Sequence, residues 1–388
     1  MQDVLYWIWL QRSLNFGNHK VRFVMSSQNP IKDFYDSGER VWASYGIFKR
    51  NELENLQKYS LTDAQLVLDK CKRLGYNVIG FSDKNYPDLL KRIDNPPCVL
   101  YAKGDITCVN SRLVISIVGS RSASYFGSAM AFKTAYDLAS EDVLIVSGGA
   151  LGIDTASHKG AIAAQGQTVG ILACGIDFPY LLTNENLRNQ ISENGVLISE
   201  YPPGYPMRNF NFYLRNRLIS GISHGTIVVE AGKKSGALVT ANFAAEQNRD
   251  VFVTPVFAEN PLSEGIFELI EDGAKVIKDS LDIKKYYSNI NFPPRPSNLQ
   301  KRSKQLEFQE SQVSQSCVIP QEHRQIEHHE LTENMKIIIN VLDHNKLHID
   351  EIKILTGFKT HILSTLLAQL ELWGIINVLP GRVYQVNL

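Results

Sequence analysis

Short apolar runs alternate with longer amphipathic stretches through the middle of the chain. Six runs rich in Val and Ile follow one another as VISIVGS, VLIVSGG, TVGILACG, GVLISE, GTIVVEA and DVFVTPV. Stretches between them, such as GSAMAFKTAYDLAS and SGALVTANFAAEQN, have apolar residues at helical spacing. Strands that alternate with helices in this way predict an α/β fold, built on a parallel sheet that is covered on both faces.

The pattern changes on either side of this region and predicts four parts. Residues 1–70 have helical spacing and predict a helical domain of SAM or helix–hairpin–helix type, although a plain docking domain is the simpler interpretation. Residues 71–285 hold the alternating elements and predict an extended Rossmann-like core. Residues 286–330 are polar and rich in Pro, Ser and Gln, as in a linker. Residues 331–388 predict three helices and a hairpin, the order of a winged-helix domain.

Composition narrows the class of protein. The 388 residues include 40 basic and 40 acidic side chains, so a site for a polyanion must be a local patch. The 5 cysteines are scattered without a C-x-x-C pair, which favours a reducing compartment over a disulfide framework or a zinc site. No apolar run is long enough to span a membrane, and no signal peptide is recognisable. We therefore expect a cytoplasmic protein without a membrane segment, metal or cofactor.

Glycine or polar turns follow several of the predicted strands, at the edge where parallel sheets bind ligands. One such turn leads from Ser147 into a helix near Asp154, and backbone N–H groups beside a helix N-terminus form a cradle for anions. The spacing fits neither a dinucleotide fingerprint nor a Walker P-loop, and no nucleophile elbow is present. The pattern predicts phosphate binding and assigns no catalytic residue.

A local excess of positive charge lies between residues 201 and 240. Five basic residues stand there against one acidic residue, a local net charge of about +4. The arginines alternate with Phe210, Phe212 and Tyr213 in RNFNFYLRNR. Guanidinium groups bind phosphates and exposed rings stack on bases, so this pattern suits single-stranded nucleic acid. The alternative is that the rings belong to the core and the arginines are solvated.

Five motifs together resemble the DNA-processing protein A (DprA/Smf) family. They are IVGSRSASYFG, VSGGALGIDTASHKGA, ISEYPPGYP, FYLRNRLISGIS and VVEAGKKSGALVTA, in the family's order and spacing. The resemblance implies a Rossmann-like core that binds single-stranded DNA, forms a homodimer and helps to load the RecA recombinase during natural transformation or recombination. It also implies a binding protein and not an enzyme.

The resemblance also implies which residues bind DNA and which form the dimer. The implied DNA-binding residues are Gly119, Ser120, Arg121, Ser147, Gly148, Gly149, Asn209, Phe212, Arg215, Asn216, Arg217, Lys233, Ser235 and Gly236. The implied dimer residues are Leu262, Ile266, Phe267 and Ile270. Three features depart from the family pattern: Tyr213 replaces a usual proline, Leu151 replaces a usual arginine, and the Pro-Gly pair after DVFV is missing.

Two other functions remain open. A related core occurs in phosphoribohydrolases that cleave nucleoside monophosphates, which have a P-G-G-x-G-T-x-x-E segment. The nearest segment here is VVEAGKKSGALVTA, in which Glu230 precedes the glycines. A nucleotide-sensing regulator that does not bind DNA is the second alternative.

Overall fold

The structure is a computed structural model in which the chain divides into two compact units, Met1–Lys304 and Gln305–Leu388. The described residues are 3–26, 30–110, 112–179, 182–256, 260–289, 333–342, 347–358, 360–372, 375–379 and 383–386. The predicted linker, from residue 290 onward, lies outside them. In the described part, no helix combines the length and the apolar character needed to cross a bilayer.

A single sheet organises the first unit. Its nine strands within the described residues are β1 (Asn77–Gly80), β2 (Val99–Gly104), β3 (Val114–Val118), β4 (Leu144–Ser147), β5 (Thr168–Leu172), β6 (Val196–Ser199), β7 (Gly225–Val228), β8 (Asp250–Val253) and β9 (Lys275–Val276). The spatial order is β1-β2-β6-β5-β4-β3-β7-β8-β9, parallel from β6 to β9 and antiparallel at β1 and β2. The predicted α/β fold with a mostly parallel sheet is confirmed.

The sheet is buried on both faces, as the continuous apolar runs predict. Val114 and Val118 of β3 pack into the core on one face, whereas Ile115 and Ile117 pack on the other. The helices beside it are α6 (Tyr125–Ser140), α7 (Ile153–Ala163), α8 (Glu185–Asn194), α9 (Asn209–Gly221), α10 (Gly236–Glu246), α11 (Glu264–Glu271) and α12 (Ser280–Tyr286). Short 3₁₀ turns occur at Leu90–Arg92, Ile106–Cys108, Leu182–Asn184 and Pro261–Ser263.

Five N-terminal helices pack against the β1–β2 edge of the sheet. They are α1 (Asp3–Leu14), α2 (Lys20–Ser26), α3 (Ile31–Ser44), α4 (Arg50–Lys58) and α5 (Leu61–Arg73). The amide of Gln11 in α1 donates to the carbonyls of Val99 and Glu200, at 3.2 and 3.1 Å. The predicted boundary at residue 70 lies inside α5, and these helices share a core and a compact unit with the sheet.

The second unit contains α13 (Glu333–Leu342), β10 (Leu347–His348), α14 (Ile349–Thr356), α15 (Thr360–Leu372), β11 (Ile376–Leu379) and β12 (Val383–Val386). The three strands form an antiparallel sheet in the order β10-β12-β11. Apolar side chains such as Ile338, Ile352 and Leu367 form its core. The elements have the predicted order, and their assignment to the winged-helix class stays a prediction.

Candidate nucleic-acid interface

A large cavity in the described residues lies where the strand order reverses. Strands β3 and β7 are neighbours, but the chain continues from β3 to β4 on one side and from β7 to β8 on the other. The loops therefore separate and leave a crevice at the carboxyl ends of the strands, the usual place for ligands in open α/β sheets. The crevice has a volume of about 560 Å³. It is lined by the loop at 119–122, by α9 and by the segment 232–237.

The loop after β3 is held by a buried carboxylate. Glu230 accepts hydrogen bonds from the backbone N–H and the hydroxyl of Ser124, at 2.9 and 2.5 Å. The backbone N–H of Ser120 also donates to the Glu230 carbonyl, at 2.8 Å. These bonds fix the loop, so that Arg121 is presented at the rim of the crevice as an exposed side chain.

Phe212 lies between two arginines in the wall of the crevice. The guanidinium carbon of Arg121 is 4.7 Å from the centroid of the Phe212 ring, and that of Arg215 is 5.9 Å away. Such cation–π contacts hold a guanidinium in place while leaving it charged. Phe212 is half-buried and lines the crevice, where its ring contacts Arg121.

Arg215 is a buried part of the wall. Its Nη1 donates to the carbonyl of Gly148 at 2.6 Å and also to the carbonyl of Ile171, so it ties the ends of β4 and β5 to α9. A Cβ atom on residue 148 would lie against the Arg215 guanidinium, which explains why glycine occupies this position. Asp154 lines the crevice nearby, where burial raises the pKa of its carboxyl and Arg215 opposes that shift.

The predicted anion cradle at Ser147, Gly148 and Gly149 does not line the crevice. All three residues are buried, and the Ser147 hydroxyl donates to the carbonyl of Ile117 at 2.7 Å. Donors at the start of α7 already have acceptors: Ala150 N–H donates to Asp154, and Ile153 N–H donates to a loop carbonyl. Two donors beside the predicted cradle are therefore used within the protein, and phosphate binding by residues 147–149 stays a prediction.

Two further exposed positive charges come from the segment after β7. Lys233 and Lys234 are exposed, and the Ser235 hydroxyl caps α10 by accepting the backbone N–H of Ala237 at 3.2 Å. The amide of Asn216 donates to the carbonyl of Gly236 at 3.1 Å and fixes this segment to α9. The crevice thus has a helix N-terminus and two lysines at one side, an arrangement that favours anions.

The lining contains four basic side chains and one acidic side chain, so a neutral protein has a strongly positive crevice. Arg121, Arg215, Lys233 and Lys234 are the basic ones, and Asp154 is the acidic one. The residues predicted from the sequence omitted Lys234 and Asp154, although a lysine beside Lys233 within a basic segment was a visible sign.

Arg217 was predicted to supply charge to DNA, and its placement corrects that expectation. The side chain is fully buried, and its Nη2 donates to both carboxylate oxygens of Glu200, at 2.8 and 2.6 Å. A guanidinium without solvent access and paired with a carboxylate cannot reach a phosphate. Asn209 is exposed at the start of α9 and does not line the crevice.

Comparisons with known proteins assign the chain to a family. The model of the family described as "DNA recombination-mediator protein A" matches residues 77–288, more than half of the chain. The chain belongs to this family. It is 40% identical over 217 residues to the DNA processing protein DprA of Bacillus subtilis, an alignment that covers 56% of this chain and 73% of that protein.

Two solved structures of family members are similar to the chain. The first is DNA processing protein A of Streptococcus pneumoniae, with a TM-score of 0.62, 28% identity, and coverage of 73% of this chain and 96% of that chain. The second is DNA processing protein A of Helicobacter pylori, with a TM-score of 0.50, 29% identity, and coverage of 54% and 94%. The Helicobacter pylori structure is described as giving insight into a single-stranded DNA binding mode of that protein.

Proposed function

We propose that the chain binds single-stranded DNA with little sequence preference, in the crevice between β3 and β7. The observation that supports this most directly is the lining of four basic side chains around one acidic one in a chain of zero net charge. Membership of the DNA recombination-mediator family and the binding mode described for the Helicobacter pylori relative support the same function.

The contacts that we propose are to the sugar–phosphate backbone. Lys233, Lys234 and the N-terminus of α10 bind one phosphate, and Arg121, supported by Phe212, binds the next. Arg215 contributes charge from within the wall. Such contacts position a strand without reading its bases, which suits a protein that handles any sequence.

A binding titration across a salt series tests this function. Replacing both Lys233 and Lys234 by Ala should weaken binding to a dT oligonucleotide and reduce the slope of log K against log salt by about 0.7, the value for the one phosphate contact that they share. Lys159 is an exposed lysine that does not line the crevice, so Lys159→Ala is the matched control and should change neither quantity. Equal affinity of the native protein for blunt duplex and single strand would contradict the proposal.

We propose further that the chain is a binding protein and not a nucleotide hydrolase. Glu230, the candidate acid of the hydrolase alternative, is buried, and Ser124 and Asn260 donate to its carboxylate. A general base needs access to the substrate or to water. Incubation with nucleoside monophosphates should therefore release no free base. Saturable binding of a mononucleotide without affinity for DNA would instead favour the nucleotide-sensing regulator.

We also propose a homodimer, and α11 supplies its candidate surface. Phe267 and Ile270 are exposed on this helix, whereas Ile266, also expected in the interface, is fully buried in the core, so we propose a contact through Phe267 and Ile270. Leu262, also expected in the interface, lines the crevice between β3 and β7. Phe267→Lys should yield a folded monomer in sedimentation, while Leu66→Lys, at an exposed apolar position on α5, should leave the dimer intact. A native protein that stays monomeric at tens of micromolar would refute the dimer.

RecA loading is a separate proposal that rests on the family resemblance. It is tested on single strands pre-coated with single-strand-binding protein, by measuring the rate of RecA filament assembly. We expect the chain to accelerate assembly, and an unchanged rate would contradict this role.

A further inference from the structure

Three aromatic side chains beside the crevice form a connected set, and two of them expose their rings to solvent. Phe210 and Tyr213 lie one helical turn apart on α9 and are 64% and 50% exposed. Their ring centroids are 5.9 Å apart with an angle of 20° between the ring planes, so the two rings are stacked. Tyr213 also contacts the edge of Phe243 on α10, at 5.3 Å between centroids and 60° between planes. We call Phe210, Tyr213 and Phe243 the aromatic ladder.

The ladder is continuous with the crevice. Tyr213 lines the cavity together with Lys233 and Lys234, so an aromatic ring and two basic side chains belong to the same crevice. Phe210 lies farther out, at the first turn of α9, and its stacking partner in the structure is Tyr213. A phosphate bound to the lysines would therefore place the adjoining nucleotides over the rings.

Core packing does not explain the exposure of these rings. Phe212, which lies between the two ladder positions of α9 in sequence, is half-buried and supports Arg121. Phe210 and Tyr213 are exposed instead, and their position beside a positively charged crevice makes both rings available to a ligand bound there. The chemistry of the neighbouring surface indicates which ligand this is, because a flat ring next to a phosphate site matches a nucleobase.

We propose that the bases of a single DNA strand stack on the aromatic ladder while the phosphates of that strand occupy the crevice. This inference rests on the proposed function and adds a base-contacting surface to it. Stacking accepts any base, since every base has a π face, so the ladder increases affinity without creating sequence preference. A blunt duplex keeps its bases stacked on each other and cannot use the ladder, so the proposal predicts tighter binding to single strands than to duplex.

An abasic oligonucleotide separates base contacts from phosphate contacts. The native protein should bind dT12 more tightly than an abasic strand of the same length, because only dT12 has bases to stack. The double variant Phe210→Ala, Tyr213→Ala should lose at least about fivefold in affinity for dT12, the lower limit for a lost stacking contact. It should bind the abasic strand as the native protein does.

Matched variants provide the controls. Phe132 and Tyr136 form another exposed stacked pair on α6, with centroids 6.4 Å apart and 16° between planes, and neither lines the crevice. Their double alanine variant should bind dT12 normally. The exchange Phe210→Tyr, Tyr213→Phe keeps both rings and should restore the preference for dT12, whereas a merely structural role of the specific side chains predicts no such rescue.

Each remaining outcome is decisive. If the native protein binds the abasic strand as tightly as dT12, the ladder does not contact bases, but binding in the crevice stands. If the double alanine variant loses equal affinity for both strands, the rings support the phosphate site and the ladder proposal fails. If the native protein binds neither strand, the proposed function itself fails.

Discussion

Replacing Arg217 should reduce the stability of the fold and should not act by removing a contact to DNA. The guanidinium is fully buried, and its partner Glu200 is 2% exposed. Glu200 also accepts a hydrogen bond from the backbone N–H of Gly17, at 3.3 Å, so the ion pair joins α9, the end of β6 and the turn after α1. Arg217→Met would leave the Glu200 carboxylate buried without its charged partner.

The expected loss is large because a buried charge is left unpaired. Removing one member of a buried ion pair typically costs about 3–5 kcal/mol, which is a large part of the stability of an ordinary domain. The double variant Arg217→Met, Glu200→Gln removes both charges and should be more stable than Arg217→Met alone by at least about 1 kcal/mol. Arg50 pairs with Glu54 on the exposed face of α4, so Arg50→Met should cost at most about 0.5 kcal/mol.

Urea unfolding followed by tryptophan fluorescence measures these differences. Three tryptophans, Trp7, Trp9 and Trp42, lie in the N-terminal helices that this ion pair joins to α9, so they report on the first unit. A similar midpoint for Arg217→Met and Arg50→Met would refute the reasoning. A stable Arg217→Met protein that no longer binds DNA would restore the surface role first predicted for this arginine.

Two further predictions concern buried groups around the crevice. Burial lowers the pKa of His158 to about 3, below its ordinary 6.5, so folding favours the neutral ring and stability present above pH 6.5 is lost as the pH falls toward 3. The loss from pH 7 to pH 5 should be about 2 kcal/mol, and His158→Asn should lose less over that interval in urea titrations. Gly148→Ala would push a methyl group against Arg215 and should cost about 1–3 kcal/mol, measured by thermal melting. Gly236→Ala, where a Cβ atom would meet nothing within 4 Å, is the matched control.

Most strands of the parallel sheet could be predicted because their buried residues form continuous apolar runs in the sequence. All five residues of β3 and of β5 are buried, and continuous apolar runs are what a sheet covered on both faces requires. The strands β1 and β2 were not among the predicted runs. The segments NVIG and VLYAKG include Gly, Asn and Lys, and they pair antiparallel at the edge that the N-terminal helices cover.

The burial of Arg215 and Arg217 could not be predicted from local sequence. Arg215 and Arg217 are separated by one residue in a segment of alternating cations and rings, a pattern that suits a core helix and a nucleic-acid surface equally. Their partners are distant in sequence: Glu200 precedes Arg217 by 17 residues, and Gly148 precedes Arg215 by 67. The contacts around the glycine turn could not be predicted for the same reason, since Ser120, whose carbonyl accepts the Ile153 N–H, comes from another loop.

The balance of charge at the crevice depends on which ionic groups the fold buries. Glu200 and Glu230 are buried and accept hydrogen bonds from Arg217 and Ser124, and burial raises the pKa of the Asp154 carboxyl while Arg215 opposes that shift. Lys233 and Lys234 are exposed and line the crevice. A chain with equal numbers of acidic and basic residues can therefore attract a polyanion at one place, because four basic side chains and one acidic side chain line the crevice.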